Sequence, residues 1–304
     1  MDRRRFIQCA AGSVGLANVP SYARGPIDRA GRPNIQIGLA AYSFRSAFPF
    51  MKGKAQKHEE GARKVDMFGF IDYCAEHGIA GAELTSYFFP PTADKDYFLR
   101  LKQHAHIRGV TICGTAIGNN FSRGPGEEMD REIAAAKSWI DKAALFGAPH
   151  IRFFAGTARD LEEDPKNLDH AIAAIEECAN HAAGKGIFIG IENHGNLSSD
   201  QVLAIMRGVN NPWVGVNLDT GNFISDDPYG DIAKCVPYAV NVQVKVSMRR
   251  PDRTKYPADM DRLARLLSEG NYQGFAVLEY EEEGAFENVP PTLTGLRKAF
   301  ALAA

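Results

Sequence analysis

Eight short runs of apolar, largely β-branched residues recur along this chain, each followed by a longer stretch with helical periodicity. That alternation leaves few folds open. The runs are Ile35–Ala40, Ala80–Thr85, Val110–Thr115, His150–Phe154, Ile187–Glu192, Val214–Asp219, Asn241–Val246 and Gly274–Glu279. Each is bounded by Gly, Pro or polar residues, the pattern of strands buried on both faces. Between them, Ile133, Ala136, Ile140 and Ala144 share one helical stripe, and so do Leu168, Ile172, Ile175, Cys178 and Ala182. Several of these stretches close on a glycine that opens the next run: Gly78, Gly109, Gly147, Gly186 and Gly270. This is the signature of a helix C-cap leading into an αβ turn. Eight strand–helix units predict an α/β fold, a single (β/α)8 TIM barrel. A doubly wound open sheet is the competing arrangement, but no G-x-G-x-x-G follows the first strand.

The N-terminal residues 1–23 read as an export signal rather than as fold. Asp2-Arg3-Arg4-Arg5-Phe6-Ile7-Gln8 resembles the twin-arginine consensus, a mildly apolar small-residue stretch runs from Cys9 to Val19, and Ser21-Tyr22-Ala23 offers a cleavage site. The expected location is therefore periplasmic or secreted, by the twin-arginine route. Residues 24–34 are a linker, and residues 35–304 form one barrel domain with no internal linker. Cleavage after Ala23 removes three arginines and one aspartate, which takes the net charge from −2 to −4. The mature chain has no basic footprint for nucleic acid, and no apolar run is long enough to span a bilayer. Cys74, Cys113, Cys178 and Cys235 remain and form no C-x-x-C pair. They read as buried thiols rather than as a zinc knuckle or redox motif.

In a barrel the chemistry sits at the C-terminal ends of strands, and carboxylates close four of these. The second run ends in Glu83-Leu84-Thr85, the fifth in Glu192-Asn193-His194-Gly195, the sixth in Asp219-Thr220-Gly221-Asn222, and the eighth in Glu279-Tyr280-Glu281. Burying such acids is costly without a balancing positive charge. A divalent cation would balance Glu192, Asp219 and Glu279 together, and an oxygen-rich donor set favours Mn²⁺ or Mg²⁺, with Co²⁺ or Zn²⁺ as the other candidates. The competing reading pairs the acids with Lys245, Arg152 and Arg249. The long connection from Tyr42 to about Lys64 carries Phe44, Phe48, Phe50 and Met51 and then the charged segment Lys52–Lys64. It is either a lid over the mouth or a disordered excursion.

The segments Ile189–Gly195, Val216–Phe223, Val242–Lys245 and Val277–Glu281, in that order, resemble the sugar phosphate isomerase/epimerase family of xylose isomerase-like barrels over about residues 35–300. The resemblance implies one divalent metal held by Glu192, Asp219, Glu279 and the strand-seven position, where Gln243 stands in place of the family's histidine. A glutamine oxygen still suits a hard cation. It further implies that Glu192 and Glu279 remove and return a proton on opposite faces of a sugar, beside a keto group and through an ene-diolate. His194, two residues after Glu192, is a further acid/base or hydrogen-bonding candidate on the same face of an extended chain. Glu83, Asn222 and Lys245 are expected to contact substrate, Asn222 standing where members carry a histidine. The aromatic stretch Tyr87-Phe88-Phe89-Pro90-Pro91 is a candidate pocket wall.

The implied partner is a small-molecule sugar or keto-glycoside, with no nucleic acid, no stable membrane anchor, and assembly into a homo-oligomer as in family members. Three rivals are weighed. An apurinic endonuclease needs several zinc-binding histidines, some in the C-terminal half, whereas all eight here lie at or before His194. A lyase acting on 3-keto-glycosides would use the same metal site and proton abstraction. A non-catalytic sugar-binding protein would keep the pocket and lose the metal.

Overall fold

A computed structural model describes residues 25–303. The expected export signal, residues 1–23, lies outside the described residues. Eight parallel strands close into a barrel: β1 Asn34–Ala40, β2 Gly81–Glu83, β3 Thr111–Ala116, β4 His150–Phe153, β5 Phe188–Glu192, β6 Val214–Asp219, β7 Ala239–Val244 and β8 Gln273–Leu278. Each strand pairs with its neighbours in sequence, and β1 closes the ring by pairing with both β2 and β8. The strands coincide with the eight apolar runs to within one or two residues at most ends, and every crossover contains helix. The barrel is therefore the observed fold, and the open sheet is not.

Helices start where short polar side chains can cap free backbone N–H groups. Asp66 caps α1 (Met67–Glu76) through Gly69 N at 2.8 Å, and Asp94 caps α2 (Lys95–Ile107) through Tyr97 N at 2.8 Å. Gly78, Gly109, Gly147 and Gly186 take positive φ at the turns into the following strands. Gly270 does not: Asn271 carries the left-handed residue there (φ 51°), and a Cβ at Gly270 would lie 2.3 Å from Val236. Glycine at 270 is thus required by close packing, not by the turn.

The main apolar core fills the space between barrel and helices, around residues such as Ile140, Phe146, Ile175, Val216 and Leu278. Inside the barrel a small separate apolar cluster, Ala40, Cys113 and Val277, is packed by Phe275. Much of the remaining interior is polar. A Cβ at Gly190 would lie 2.2 Å from His150 Nε2, so the fully buried imidazole occupies the space a side chain on β5 would need. The four cysteines among the described residues, Cys74, Cys113, Cys178 and Cys235, are buried and unpaired.

Residues 25–33 run beneath the barrel, where Ile27 N donates to Pro237 O and Gln273 Nε2 donates to Ala30 O, both at 2.8 Å. The connection after β1 is ordered rather than an excursion. Phe44 and Phe48 are buried, with Phe48 stacked on Phe88 at 4.4 Å. A ribbon, Phe50–Met51 with Lys54–Ala55, follows. Gln56 Nε2 donates to the carbonyls of Arg45, Phe48 and Phe50 and ties the loop into one piece. No helix among the described residues is long and apolar enough to cross a membrane.

Candidate active site

Five carboxylates, Glu83, Glu192, Asp219, Glu279 and Glu281, gather at the C-terminal mouth with two cations, Arg152 from β4 and Lys245 just past β7. Two of the irregularities in strand pairing fall here. Register shifts between Ala82 and Glu83 on β2 and between Val216 and Asn217 on β6. Such shifts re-aim side chains at barrel rims.

Lys245 Nζ lies 3.4 Å from Asp219 Oδ2, 3.2 Å from Glu279 Oε2 and 3.1 Å from Glu281 Oε1. Arg152 Nε lies 2.8 Å from Glu192 Oε2, and its Nη1 donates to Ile117 O at 2.7 Å. The ion-paired reading is thus realised for Lys245 and Arg152, while Arg249 forms no ion pair with the cluster. Desolvation alone would pull both cations' pKa values down, but the surrounding acids hold them above their ordinary values. The acids pay the opposite way: burial pushes Glu192 and Asp219 up, against the pull of Arg152 and Lys245. Burial and the charge of Glu279 push Glu83 up to about 7.

A network of amides supports the carboxylates. Asn193 Nδ2 donates to Asp219 O at 2.9 Å while its Oδ1 accepts from Asp219 N at 2.7 Å, a two-bond clamp on the backbone of the aspartate. Deeper in the barrel, Asn241 donates to Asn217 Oδ1 (2.8 Å), Asn217 to Gln243 Oε1 (2.7 Å), and Gln243 Nε2 to Glu83 Oε2 (3.3 Å).

The expected site residues separate into two groups. Glu192, Asp219, Glu279, Lys245 and Glu83 lie together, and Asn222 joins them by donating to Glu192 Oε1 at 3.0 Å. Gln243 is also in the mouth, where its carbonyl oxygen accepts from Asn217 and its amide donates to Glu83, which leaves the second lone pair of the oxygen for any ligating role. His194 lies past the end of β5, exposed, with its ring 4.2 Å from that of Phe154. It stands two residues beyond the last strand residue, at the rim of the mouth, where the charges of Arg152, Lys245 and Glu281 reach it. Partial desolvation against its neighbours, helped by Arg152 and Lys245, pulls its pKa down to about 4 and keeps the ring neutral near pH 7. Asn193, Asn217 and Asn241 were not singled out from sequence. Their signal was polar residues at alternate positions along strands that otherwise read as apolar.

The residues suit a hard divalent cation on two observations. Asp219 Oδ2 is buried with no hydrogen bond and only the long 3.4 Å contact to Lys245 Nζ, and the acids outnumber the cations, so a bound cation would offset the burial that pushes Glu83, Glu192 and Asp219 up. Among the described residues, however, no three His, Cys, Asp or Glu side chains are drawn together as a formed ion site. In this arrangement Lys245 and Arg152 take up the carboxylates instead.

The pattern of the xylose isomerase-like TIM barrel matches residues 71–302. The chain belongs to that family. Among solved structures, this xylose isomerase-like barrel is similar to a xylose isomerase domain protein from Planctomyces limnophilus, at 18% identity and TM-score 0.66, over 89% of this chain and 99% of that one. It is also similar to D-psicose 3-epimerase from Clostridium cellulolyticum H10, at 15% identity and TM-score 0.68, over 87% and 99%. A third likeness, at 15% identity and TM-score 0.64 over 86% and 98%, is to a probable 3-DHS dehydratase from Bacillus anthracis. No curated protein matches the chain significantly.

Proposed function

We propose that this barrel is a sugar isomerase or epimerase, dependent on Mn²⁺ or Mg²⁺, that moves a proton beside a keto group through an ene-diolate. The observation that carries this reading is the buried cluster of strand-end acids, with Glu192, Asp219 and Glu279 all in it and Asp219 Oδ2 making no hydrogen bond. Glu192, Asp219 and Glu279 would hold the ion, with Gln243 as the fourth donor. Bound there, it supplies a Lewis acid for the carbonyl and neighbouring hydroxyl oxygens of a sugar. The psicose and ribulose 3-epimerases among similar folds support the reaction class.

The chain's own groups divide the remaining work. Glu192 takes the proton from carbon and Glu279 returns one. Burial favours the protonated form of Glu192, so Arg152 and Asn222 serve to keep it ionised as a base. Lys245 steadies Glu279 and Asp219, and Glu83 is placed to accept from a sugar hydroxyl. The same proton abstraction with a leaving group on the next carbon would make the enzyme a lyase on 3-keto-glycosides, a reading favoured by the likeness to the dehydratase. Export through residues 1–23 places either activity outside the cytoplasm.

The test is incubation of the purified protein with free ketoses and 3-keto-glycosides in deuterated water, with and without Mn²⁺. Metal-dependent deuterium uptake at one carbon is the expected result. Epimer formation without loss of the glycone excludes the lyase. No uptake from any keto-sugar with any divalent ion overturns the proposal.

A further inference from the structure

Beside the carboxylate mouth lies a groove of about 360 Å³ that the proton-transfer chemistry does not use. Its inner wall is Tyr87, Phe89 and Ile117 from the ends of β2 and β3, and its outer wall is Trp139 on α3 (Glu127–Phe146). Tyr87 and Phe89 are almost wholly buried, and Trp139 packs directly on Phe89 with ring centres 5.8 Å apart, so the aromatic lining is one continuous surface on which a further ring can lie. Lys52 Nζ stands 4.5 Å from the centre of the Tyr87 ring, and Lys142 Nζ 4.3 Å from that of Trp139. The two aromatic walls are thus each capped by an ammonium, and Glu132 is the one acid in the lining. Shape and charge contrast with the mouth, which is polar and strongly acidic.

We propose that this groove is a subsite for an aromatic group carried on the sugar, so that the substrate is an aryl-substituted sugar rather than a bare monosaccharide. The inference rests on the sugar reading of the mouth. Flat rings stack on and against aromatic walls, and a cavity of roughly 150 Å³ already holds a benzene ring, so the groove has ample room. Ammonium groups at its rim suit the electron-rich face and oxygen of a phenolic ring. The two sites are adjoining. Arg152 donates to Ile117 O in the groove wall at 2.7 Å and pairs with Glu192 in the mouth at 2.8 Å, so one side chain spans the distance between them. The ribbon after β1 closes over the same place, where Lys52 N donates to Tyr87 O at 2.7 Å. A sugar ring over the carboxylates would therefore present a substituent to Tyr87 and Trp139.

The experiment compares binding of 4-nitrophenyl β-glucoside, methyl β-glucoside and 4-nitrophenol by calorimetry. The proteins are the full chain and its Ala135→Trp and Trp139→Leu variants. Ala135 is an exposed lining residue on α3, so its enlargement fills the groove without entering the core. The expected result is nitrophenyl glucoside binding at least about tenfold tighter than methyl glucoside. That ratio falls to near one in Ala135→Trp, with methyl glucoside unaffected. Equal affinities in the parent protein, or a ratio that survives Ala135→Trp, overturns the proposal. Nitrophenol binding that is lost in Ala135→Trp, in a protein that exchanges no proton on any keto-sugar, would uphold the aromatic subsite and refute the sugar reaction. Proton exchange with no aryl preference would do the reverse.

Discussion

His150 enters the barrel at the start of β4 with both ring nitrogens buried and unbonded, two residues before Arg152 on the same inward face. Burial, reinforced by the charge of Arg152, pulls its pKa down to about 3. The unfolded chain therefore protonates this ring below about pH 6.5 while the folded chain leaves it neutral. Stability from this group is complete above the unfolded value and is lost as the pH falls towards 3. Linkage puts the loss at roughly 2.5 kcal/mol between about pH 7 and about pH 4.5. Glu83 acts with the opposite sign: its folded pKa is raised to about 7, so protonating it favours the fold as pH falls through the same window. Absolute stability mixes the two, and the difference between the parent and His150→Gln isolates the histidine. Urea unfolding at several pH values across that range gives the assay. The expected outcome is that the parent's advantage over the variant shrinks by roughly 2.5 kcal/mol on acidification. A gap that stays constant with pH would refute the reasoning, because it would mean that the folded protein accepts the proton as readily as the unfolded one.

Further outcomes follow from the same geometry. Gly190→Ala drives a methyl group to 2.2 Å from His150 Nε2 and 2.9 Å from Asn217 Cβ, and should cost about 1–3 kcal/mol in urea unfolding. An unchanged midpoint would show that the interior has slack. Glu192→Gln and Glu279→Gln should each cut deuterium uptake at least about 100-fold with the fold retained by circular dichroism, and activity surviving in both would sink the assignment. Asn193→Ala removes both hydrogen bonds that clamp Asp219, a loss of about 1–3 kcal/mol. It should also weaken Mn²⁺ binding by at least about tenfold in calorimetry. Full Mn²⁺ affinity in that variant would show that the clamp does not set the aspartate's position.

The strands were legible because burial on both faces imposes continuous apolar runs, and Glu192, Asp219 and Glu279 were legible because an acid at the end of such a run has few reasons to be there. Partnerships were not. Lys245 gathers acids from the ends of two strands, β6 and β8, and Asn217 reaches Gln243 across 26 positions in sequence, so spacing along the chain carries no trace of them. Gln243 shows the limit clearly: its place was readable, but the orientation of its amide depends on Asn217 and Glu83. His194 lies past the end of β5, so the period of two that placed it beside Glu192 in sequence does not by itself fix which way its ring turns. The loop after β1 was ambiguous because its charged half hid the one side chain, Gln56, that orders it.

That side chain has a consequence for how the barrel could change its substrates. With the carbonyls of Arg45, Phe48 and Phe50 all gathered by one buried-side amide, the path of the flap is specified from within. The tip fixes its own turn, since Lys52 and Gly53 both take positive φ (49° and 77°) and Lys52 N donates to Tyr87 O, but the side chains of Lys52 and Lys54 are exposed. Diversity introduced at Lys52 and Lys54, with Gln56 and Gly53 kept, would sample new ceilings over the groove while the loop's course is inherited. The flap is thus a place where a library of side chains can explore selectivity on a backbone course set elsewhere in the loop.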